Sequence, residues 1–441
     1  MTPSQMPPPP ARVRIPAPAT APDPGAIGRR TRYAALAVGW LATRALMLHL
    51  LVTDRLGVGG VSGEVYVLYR RWYDQLTTGA FPFADPTWQY PPGAGAVLLT
   101  PSLFPFLTFF QAFTAVTLGC DALIALALVR AGARPGGSAA GAWLWVGGLP
   151  LLLHIPYARY DVQVTALAVG ALLALRRRPG LGGVLAGLGA LVKVWPLLAL
   201  VGAPPGRGTR RALLGALGSV SALLTVLVLA FDHSLDFARQ QGGRGLQIES
   251  LGGTALQLAH LATGHPGRVV YRYGAMEFTG AYASALATLS LALTGLAVCW
   301  LLFWRVRARR RTVAVPLDAA LCAVLLFTVT SRVISPQYLV WLLGLAAVCL
   351  TSGRTTQRPV AQLLLPAAAL SALAFPCLYD EVIAGSALGT AVMAARNTLL
   401  VAAALVSCRR LWTSTVTESA TTVKGRPPEG GRPFTCDTRT P

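Results

Sequence analysis

Charged residues are scarce in this chain. Asp, Glu, Lys and Arg together make up 12% of the 441 residues, whereas 54% are hydrophobic, a balance far from that of soluble globular domains. Apolar runs of roughly 20 residues recur along nearly the whole chain, and each is long enough to cross a ~30 Å hydrocarbon core as a helix. The sequence therefore excludes a soluble protein and predicts an all-α polytopic integral membrane protein.

Cysteine is sparse as well. The seven cysteines are scattered, mostly inside apolar runs, and none forms a CxxC pair. Neither a disulfide framework nor a zinc site is expected from such spacing. We interpret them as small buried hydrophobic residues.

Negative charge is in the minority, since the chain carries a net charge of +21. In a soluble protein this excess would suggest nucleic acid as a partner. Here the arginines cluster at the ends of apolar segments, as on the cytoplasmic side of a bilayer. The pattern predicts no nucleic-acid partner and a multi-pass membrane protein with both termini in the cytoplasm.

The arginine clusters also predict the organisation of the chain. Residues 1–28 and 411–441 are expected to be disordered cytoplasmic tails around a transmembrane domain, 29–410, with about ten crossings and short re-entrant or interfacial helices. Two long loops, 54–92 and 232–279, are predicted outside. The stretch 180–202 has arginines on both sides and a lysine and a proline at its centre, which favours two half-helices over a single span. Most other polar residues collect on the outer face, so chemistry is expected there.

An apolar and aromatic stripe follows Glu64 at helical spacing, namely Val65, Tyr69, Trp72 and Leu76. It predicts an amphipathic helix on the membrane surface, with its aromatic rings at headgroup depth. A carboxylate at this boundary is suited to act as a general base. The alternative is that Glu64 is an N-terminal acid favoured by the helix dipole.

Four ionisable residues stand within or beside apolar segments. Arg159 and Asp161 begin an apolar helix at the outer side, where ionisable residues mark functional sites unless they form a structural pair. Arg332 lies between two spans on the outer side, where a lipid phosphate would explain it, although a solvated loop arginine is the alternative. Lys193 could meet an anion or a carboxylate inside a broken helix, or extend to the inner surface.

Six sequence features follow one another along residues 33–407: the acid after the first span, Tyr-Pro-Pro at 90–92, RYD at 159–161, GLGALVKVWP at 187–196, RGLQIES at 244–250 and SRVISPQYLVWLL at 331–343. In this order they resemble the motifs of glycosyltransferase family 87. That family comprises polyprenol-phosphate-mannose-dependent mannosyltransferases of the GT-C fold and is best known from actinobacteria.

The resemblance implies transfer of a hexose, mannose in the family, from a polyprenyl-phosphate donor to an acceptor outside the membrane, a glycolipid or a cell-envelope glycan. The resemblance also implies a bacterial cell membrane, inversion and no nucleotide sugar. Because arginines can stabilise the departing phosphate without a metal, and no acidic pair suited to a metal is apparent, neither a metal nor another cofactor is expected. Glu64 would be the base on the acceptor hydroxyl, although many relatives have Asp there. Arg159 and Arg332 would bind the donor phosphate, and Asp161 would orient the sugar or the acceptor.

Other polar residues of the outer face are candidates for contacts with the sugar or the acceptor, namely Tyr90, Gln247, Glu249 and Gln337. The role of Lys193, which matches a Lys-x-x-Pro recurrent in the family, stays open. Asp74 and Asp161 are alternatives to Glu64 as the base.

Two other classes of function stay open. A transporter or lipid flippase predicts internal repeats and charges paired at the midplane, whereas the sequence has no apparent repeat and its polar residues collect at one face. A non-catalytic subunit of an envelope assembly predicts that the outer acids tolerate substitution.

Overall fold

The structure of the protein is a computed structural model that describes residues 24–238, 244–264 and 268–417. Most of these residues form helices. The α-helices are α1 (Pro24–Thr53), α2 (Arg70–Leu76), α3 (Gly93–Leu98), α4 (Phe109–Gly132), α5 (Ala140–Gly148), α6 (Asp161–Leu175), α7 (Pro179–Val192), α8 (Arg207–Ala230), α9 (Leu251–Thr263), α10 (Ala281–Arg307), α11 (Val315–Thr330), α12 (Tyr338–Leu350), α13 (Arg358–Ala372), α14 (Tyr379–Ala384) and α15 (Ala387–Thr415). Short 3₁₀ and π turns extend them at Glu64–Tyr69, Thr100–Leu103, Leu149–Leu152, Ile155–Ala158, Trp195–Leu200 and Leu373–Cys377.

The predicted all-α polytopic membrane protein is confirmed. Six of the described helices are long and apolar enough to cross a membrane, namely Thr31–Thr53, Phe109–Gly132, Arg207–Ala230, Ala281–Arg307, Arg358–Cys377 and Ala387–Thr415. The predicted total of ten crossings stays a prediction. Helices also overlap the predicted tails at residues 24–28 and 411–415. Residues 416 and 417 follow the last helix, and residues 1–23 and 418–441 lie outside the described residues.

The short apolar helices form the centre of the bundle. In α12 the side chains from Leu339 to Cys349 are buried without interruption, whereas the long helix α8 exposes Leu213, Leu217 and Leu229. Exposed leucines on a membrane helix face lipid, and a helix that is apolar all round is buried in protein. The centre therefore consists of α6, α11 and α12, in which most side chains are buried.

The predicted break in residues 180–202 is confirmed. Helix α7 ends at Val192, Lys193 has an extended backbone with φ −149° and ψ 135°, and a 3₁₀ turn follows at Trp195–Leu200. Pro196 supplies no backbone N–H, which helps to end the helical hydrogen-bond pattern. The break turns the Lys193 side chain into the bundle instead of leaving it on a helix surface.

A buried ion pair joins α1 and α4. Arg44 donates to both carboxylate oxygens of Asp121, from Nε at 2.8 Å and from Nη2 at 2.9 Å. Trp145 Nε1 and the Tyr157 hydroxyl donate to the same carboxylate at 2.6 and 2.8 Å. Because both charges are fully buried, this network fixes the first span against the bundle.

Removing one partner of this pair should destabilise the protein strongly. Asp121→Ala leaves the Arg44 guanidinium buried without a counter-charge, which typically costs about 3–5 kcal/mol. We expect a large fall in the thermal unfolding temperature of the purified protein in detergent, and no comparable fall for Asp74→Ala, whose side chain is 53% exposed. The double variant Arg44→Met/Asp121→Leu should recover most of the loss. A single variant as stable as the double one would show that the pair does not stabilise the fold.

The helix that follows Glu64 has the predicted pattern but a different environment. Val65, Tyr69, Trp72 and Leu76 are buried, so the apolar stripe is confirmed. The stripe faces protein, however, since the Tyr69 ring packs against rings of α4 and the segment before α6. These rings therefore contact protein, because the loop folds over the bundle, and their position at headgroup depth stays a prediction.

A small antiparallel sheet was not predicted. Strands β1 (Leu246–Gln247), β2 (Arg268–Arg272) and β3 (Ala275–Thr279) pair in the order β1-β3-β2. Tyr273 and Gly274 form the β2–β3 turn with φ of 54° and 74°, the two positive values of a type I′ hairpin. Tyrosine is uncommon at such a position, so the sequence signal for the hairpin is weak. Helix α9 follows β1 after a short turn.

Candidate functional site

A cleft lies at one end of the bundle, where the loop after α1 meets the residues that precede α6 and α12. Strand β1, the tip of the β2–β3 hairpin and the residues before α14 complete its walls. It is lined by Glu64, Leu68, Trp72, Thr87, Tyr90, Arg159, Arg244, Gln247, Glu249, Tyr273, Gly274, Ala275, Ser335, Pro336, Gln337, Phe375 and Tyr379. The cleft thus brings together six of the predicted site residues, Glu64, Tyr90, Arg159, Gln247, Glu249 and Gln337.

Glu64 and Arg159 form an ion pair in this cleft. The distance from Arg159 Nη2 to Glu64 Oε2 is 3.5 Å, and the side chains are 12% and 26% exposed, respectively. Arg159 Nη1 donates to the carbonyl oxygen of Ala158 at 2.9 Å, which restrains the guanidinium. The pair therefore presents a carboxylate to solvent beside a fixed cation.

Asp161 and Lys193 form a second ion pair, deeper in the protein. Lys193 Nζ donates to Asp161 Oδ1 at 2.7 Å, and Trp341 Nε1 donates to the same oxygen at 2.6 Å. The rings of Tyr160 and Trp341 surround the ammonium group, with centroids 4.8 and 5.2 Å from Nζ. Such a cage holds a cation by desolvated cation–π contacts. Neither charge lines the cleft, and Lys193 meets a carboxylate, one of the alternatives predicted for it.

Glu249 is a second acid of the cleft and, unlike the partly exposed Glu64, it is buried. Gln247 Nε2 donates to Glu249 Oε2 at 2.7 Å, while Glu249 Oε1 has no hydrogen-bond partner among the described residues. Burial raises the pKa of Glu249 to about 7, an effect that the positive charges of Arg396 and Arg159 oppose. At neutral pH this carboxyl group is therefore partly protonated and can donate a hydrogen bond.

Arg396 contacts the backbone of Glu249. Its Nη2 donates to the backbone oxygen of Glu249 at 2.6 Å, and Asn397 Nδ2 donates to the same oxygen at 3.3 Å. Both side chains belong to α15 and are buried. They fix the turn between β1 and α9, which carries Gln247 and Glu249 into the cleft.

Arg332 lies in a neighbouring cavity, on the other side of β1. Arg244, Arg272 and Glu277 line this cavity with it, and the first turns of α10 supply an apolar wall through Ala283, Ala287 and Leu291. Arg244 lines both the cleft and this cavity. Its Nε lies 3.7 Å from Glu277 Oε1. We refer to this space, with its three arginines, as the arginine cavity.

The charges of the arginine cavity affect one another. Burial lowers the pKa of the Arg332 guanidinium, and the positive charge of Arg244 lowers it further. Burial raises the pKa of Glu277, although the Gly245 N–H and the nearby arginines oppose the change. Positive charge thus exceeds negative charge here, which is the condition for binding an anion.

Asp74 does not reach the cleft. Its carboxylate pairs with Arg70 one turn earlier on α2, at 2.9 Å, and both side chains are at least half exposed. Exposed pairs of this kind contribute little to stability. The structure therefore gives Asp74 no partner in the site, and its candidacy as a base stays an untested prediction.

Sequence reasoning missed three residues of the site. Arg244 stands first in RGLQIES and joins the two cavities, Tyr273 enters the cleft from the hairpin tip, and Arg396 supports Glu249. Only Arg396 had a clear signal, since an arginine in the middle of an apolar helix is costly unless it is paired or functional.

No group of three or more His, Cys, Asp or Glu side chains suited to hold a metal ion occurs among residues 24–238, 244–264 and 268–417. The polar residues of the cleft and of the arginine cavity are instead arginines, amides, hydroxyls and separate carboxylates. This set suits an anionic substrate with hydroxyl groups. The predicted absence of a metal stays a prediction.

Comparison with known proteins identifies the family. Residues 88–336, more than half of the chain, match glycosyltransferase family 87, and no curated protein matches the chain. The matched residues include Arg159, Asp161, Lys193 and Arg332, whereas Glu64 precedes them. With its membrane-spanning helices and its polar cleft, the protein belongs to glycosyltransferase family 87 and is a multi-pass membrane glycosyltransferase that takes a sugar donor and an acceptor.

Proposed function

We propose that the protein transfers a hexose, mannose as in the family it resembles, from a polyprenyl-phosphate donor to an extracytoplasmic acceptor, a glycolipid or a cell-envelope glycan, with inversion. The observation that carries the proposal is the position of Arg244. This residue lines both the cleft that holds Glu64 and the arginine cavity with its apolar wall. A lipid-phosphate sugar has the matching parts: a polar sugar, an anionic phosphate and a hydrocarbon chain.

The arginine cavity supports a lipid-phosphate donor. Arg244 and Arg332 lie beside Ala283, Ala287 and Leu291 at the start of α10, a helix whose other face exposes leucines. A phosphate held by the guanidinium groups would leave its lipid chain against this apolar wall. The same guanidinium groups would stabilise the charge that develops on the phosphate as it departs.

Glu64 is the proposed base on the acceptor hydroxyl. Its carboxylate is partly exposed in the cleft and lies beside Arg159, so an acceptor can approach it. In this proposal Arg159 orients Glu64 and adds positive charge near the sugar. This assignment differs from the expectation that Arg159 binds the phosphate directly.

Inversion agrees with this division of roles. An inverting transfer needs the acceptor oxygen and the leaving phosphate on opposite faces of the sugar ring. Glu64 lines the cleft but not the arginine cavity, whereas Arg332 lines the arginine cavity but not the cleft. A sugar bound between them would have the base on one side and the phosphate on the other.

Gln247, Glu249, Gln337 and Tyr90 are proposed to contact the sugar or the acceptor, since all four line the cleft. Asp161 would act indirectly, because Lys193 and Trp341 occupy its Oδ1. The outer face is proposed as the side of catalysis, with both termini in the cytoplasm. The support for this orientation is the concentration of arginines at the opposite ends of the helices.

Transfer by the purified protein tests the proposal. The assay compares radiolabelled polyprenyl-phosphate mannose with a nucleotide-linked mannose, each with a panel of mannosides and glycolipids as acceptors. We expect transfer from the lipid donor only, and a product whose new bond has the anomeric configuration opposite to that of the donor. Transfer from the nucleotide sugar, or retention of configuration, would overturn the proposed donor class or mechanism.

A further inference from the structure

A third space, a cavity separate from the arginine cavity, lies at the opposite end of the bundle from the cleft. It has a volume of about 340 Å³ and is lined by the carboxyl-terminal end of α6 and by the residues that follow α12. Residues that precede the amino-terminal ends of the same two helices line the cleft. Helices of 13–15 residues rise about 20 Å. The two spaces are therefore separate sites, and we refer to this one as the basal cavity.

The walls of the basal cavity are apolar and its charges have one sign. Leu172, Leu173 and Leu317 form much of the wall, and Arg134, Arg176 and Arg311 supply the charges. No Asp or Glu is found among the described residues that line it. An apolar space with uncompensated positive charge would attract an anion that carries hydrocarbon.

Arg311 is the residue that points most directly to a ligand. Its Nη2 donates to the backbone oxygen of Arg305 at 3.0 Å, and its guanidinium lies 5.8 Å from the centroid of the Trp304 ring. Its Nε and Nη1 are buried, and among the described residues they have no hydrogen-bond partner. Buried donors without a partner are costly, so Nε and Nη1 are suited to donate to an acceptor that arrives from outside the chain.

We propose that the basal cavity binds the phosphate of an anionic phospholipid, with Arg311 donating to the phosphate oxygens and the leucine wall covering the start of an acyl chain. Basic cavities between membrane helices on the arginine-rich side are a recurrent setting for anionic headgroups. Arg134 and Arg176 are exposed and complete the positive rim. This site is independent of sugar transfer.

Lipid binding to the full-length protein in detergent tests the proposal. The probes are phosphatidylglycerol, phosphatidylcholine and inorganic phosphate, and the readouts are lipid retention in native mass spectrometry and the shift of the thermal unfolding temperature. We expect phosphatidylglycerol to be retained and to raise the unfolding temperature, and Arg311→Gln to weaken its binding by about tenfold or more. Arg354→Gln, an exposed arginine at the same end that does not line the cavity, should bind as the wild type does.

A second variant, Leu173→Trp, tests the same cavity without removing Arg311, in case Arg311→Gln fails to fold. Leu173→Trp keeps the three arginines but fills the cavity, so we expect it to lose retention of phosphatidylglycerol. If inorganic phosphate raises the unfolding temperature as much as phosphatidylglycerol does, the site binds soluble phosphate instead of a lipid. If phosphatidylcholine is retained as well as phosphatidylglycerol, the arginines do not select an anionic lipid. Unchanged binding by both Arg311→Gln and Leu173→Trp would overturn the proposal.

Discussion

Sugar transfer by the Glu64→Gln variant is expected to be about 10²–10⁴-fold slower in kcat than transfer by the wild type, the range typical of a lost general base. Glutamine has nearly the same shape as glutamate but cannot accept the proton of the acceptor hydroxyl. Donor binding should change little, because the proposed phosphate contacts come from Arg244 and Arg332. The measurement is steady-state transfer together with donor affinity for both proteins.

Two controls make this result specific. Asp74→Asn removes an exposed carboxylate from the same loop, and since Asp74 pairs only with Arg70 in the described structure, transfer should be close to that of the wild type. Glu64→Gln should also unfold at nearly the same temperature as the wild type, because Glu64 lies at the rim of the cleft. A Glu64→Gln variant as active as the wild type would leave Glu64 as an N-terminal acid of its helix. Asp161 would not be the obvious replacement, because its Oδ1 is occupied by Lys193 and Trp341.

Features with a local cause could be predicted from the sequence. The stripe of Val65, Tyr69, Trp72 and Leu76 follows from helical periodicity, and the break at Lys193 follows from a charge and a proline inside an apolar run. Both are present in the structure. What lies against these residues was not predictable, because the surface that covers the stripe comes from α4 and from the turn before α6.

In the candidate site, likewise, the sequence indicated which residues are polar but not which residues they pair with. Arg159 and Asp161 are two residues apart and were candidates for one pair, yet each bonds to a different charge, Glu64 or Lys193, from another part of the chain. Side chains two positions apart at a helix start point in different directions. Likewise, Arg159 and Arg332 line different cavities with β1 between them, and the expectation that both bind the donor phosphate stays a prediction. A strand of two residues leaves almost no signal in the sequence.

Substitution of the arginines on the two sides of β1 should separate donor binding from catalysis. Arg244→Gln and Arg332→Gln are each expected to raise the KM for the lipid donor by about 10–100-fold, since a charge-assisted hydrogen bond to phosphate contributes roughly 1.5–3 kcal/mol. Arg159→Gln is expected to lower kcat with little change in donor affinity, because the proposed role of Arg159 is to orient Glu64, with which it forms an ion pair. Arg268→Gln, an exposed arginine of the same sheet that lines neither cavity, is the matched control.

The pattern of the two kinetic constants decides between the assignments. Loss of a guanidinium that contacts the donor phosphate raises KM, and it also lowers kcat where that group stabilises the departing phosphate, whereas loss of one that acts through the base lowers kcat alone. If Arg159→Gln weakens donor binding as much as Arg244→Gln does, the phosphate lies against Arg159 and the Glu64 pair must open when the donor binds. If Arg332→Gln leaves the KM for the donor unchanged, the arginine cavity does not hold the phosphate. The inverting geometry depends on this difference, because only a phosphate beyond β1 leaves the opposite face of the sugar open to Glu64 and the acceptor.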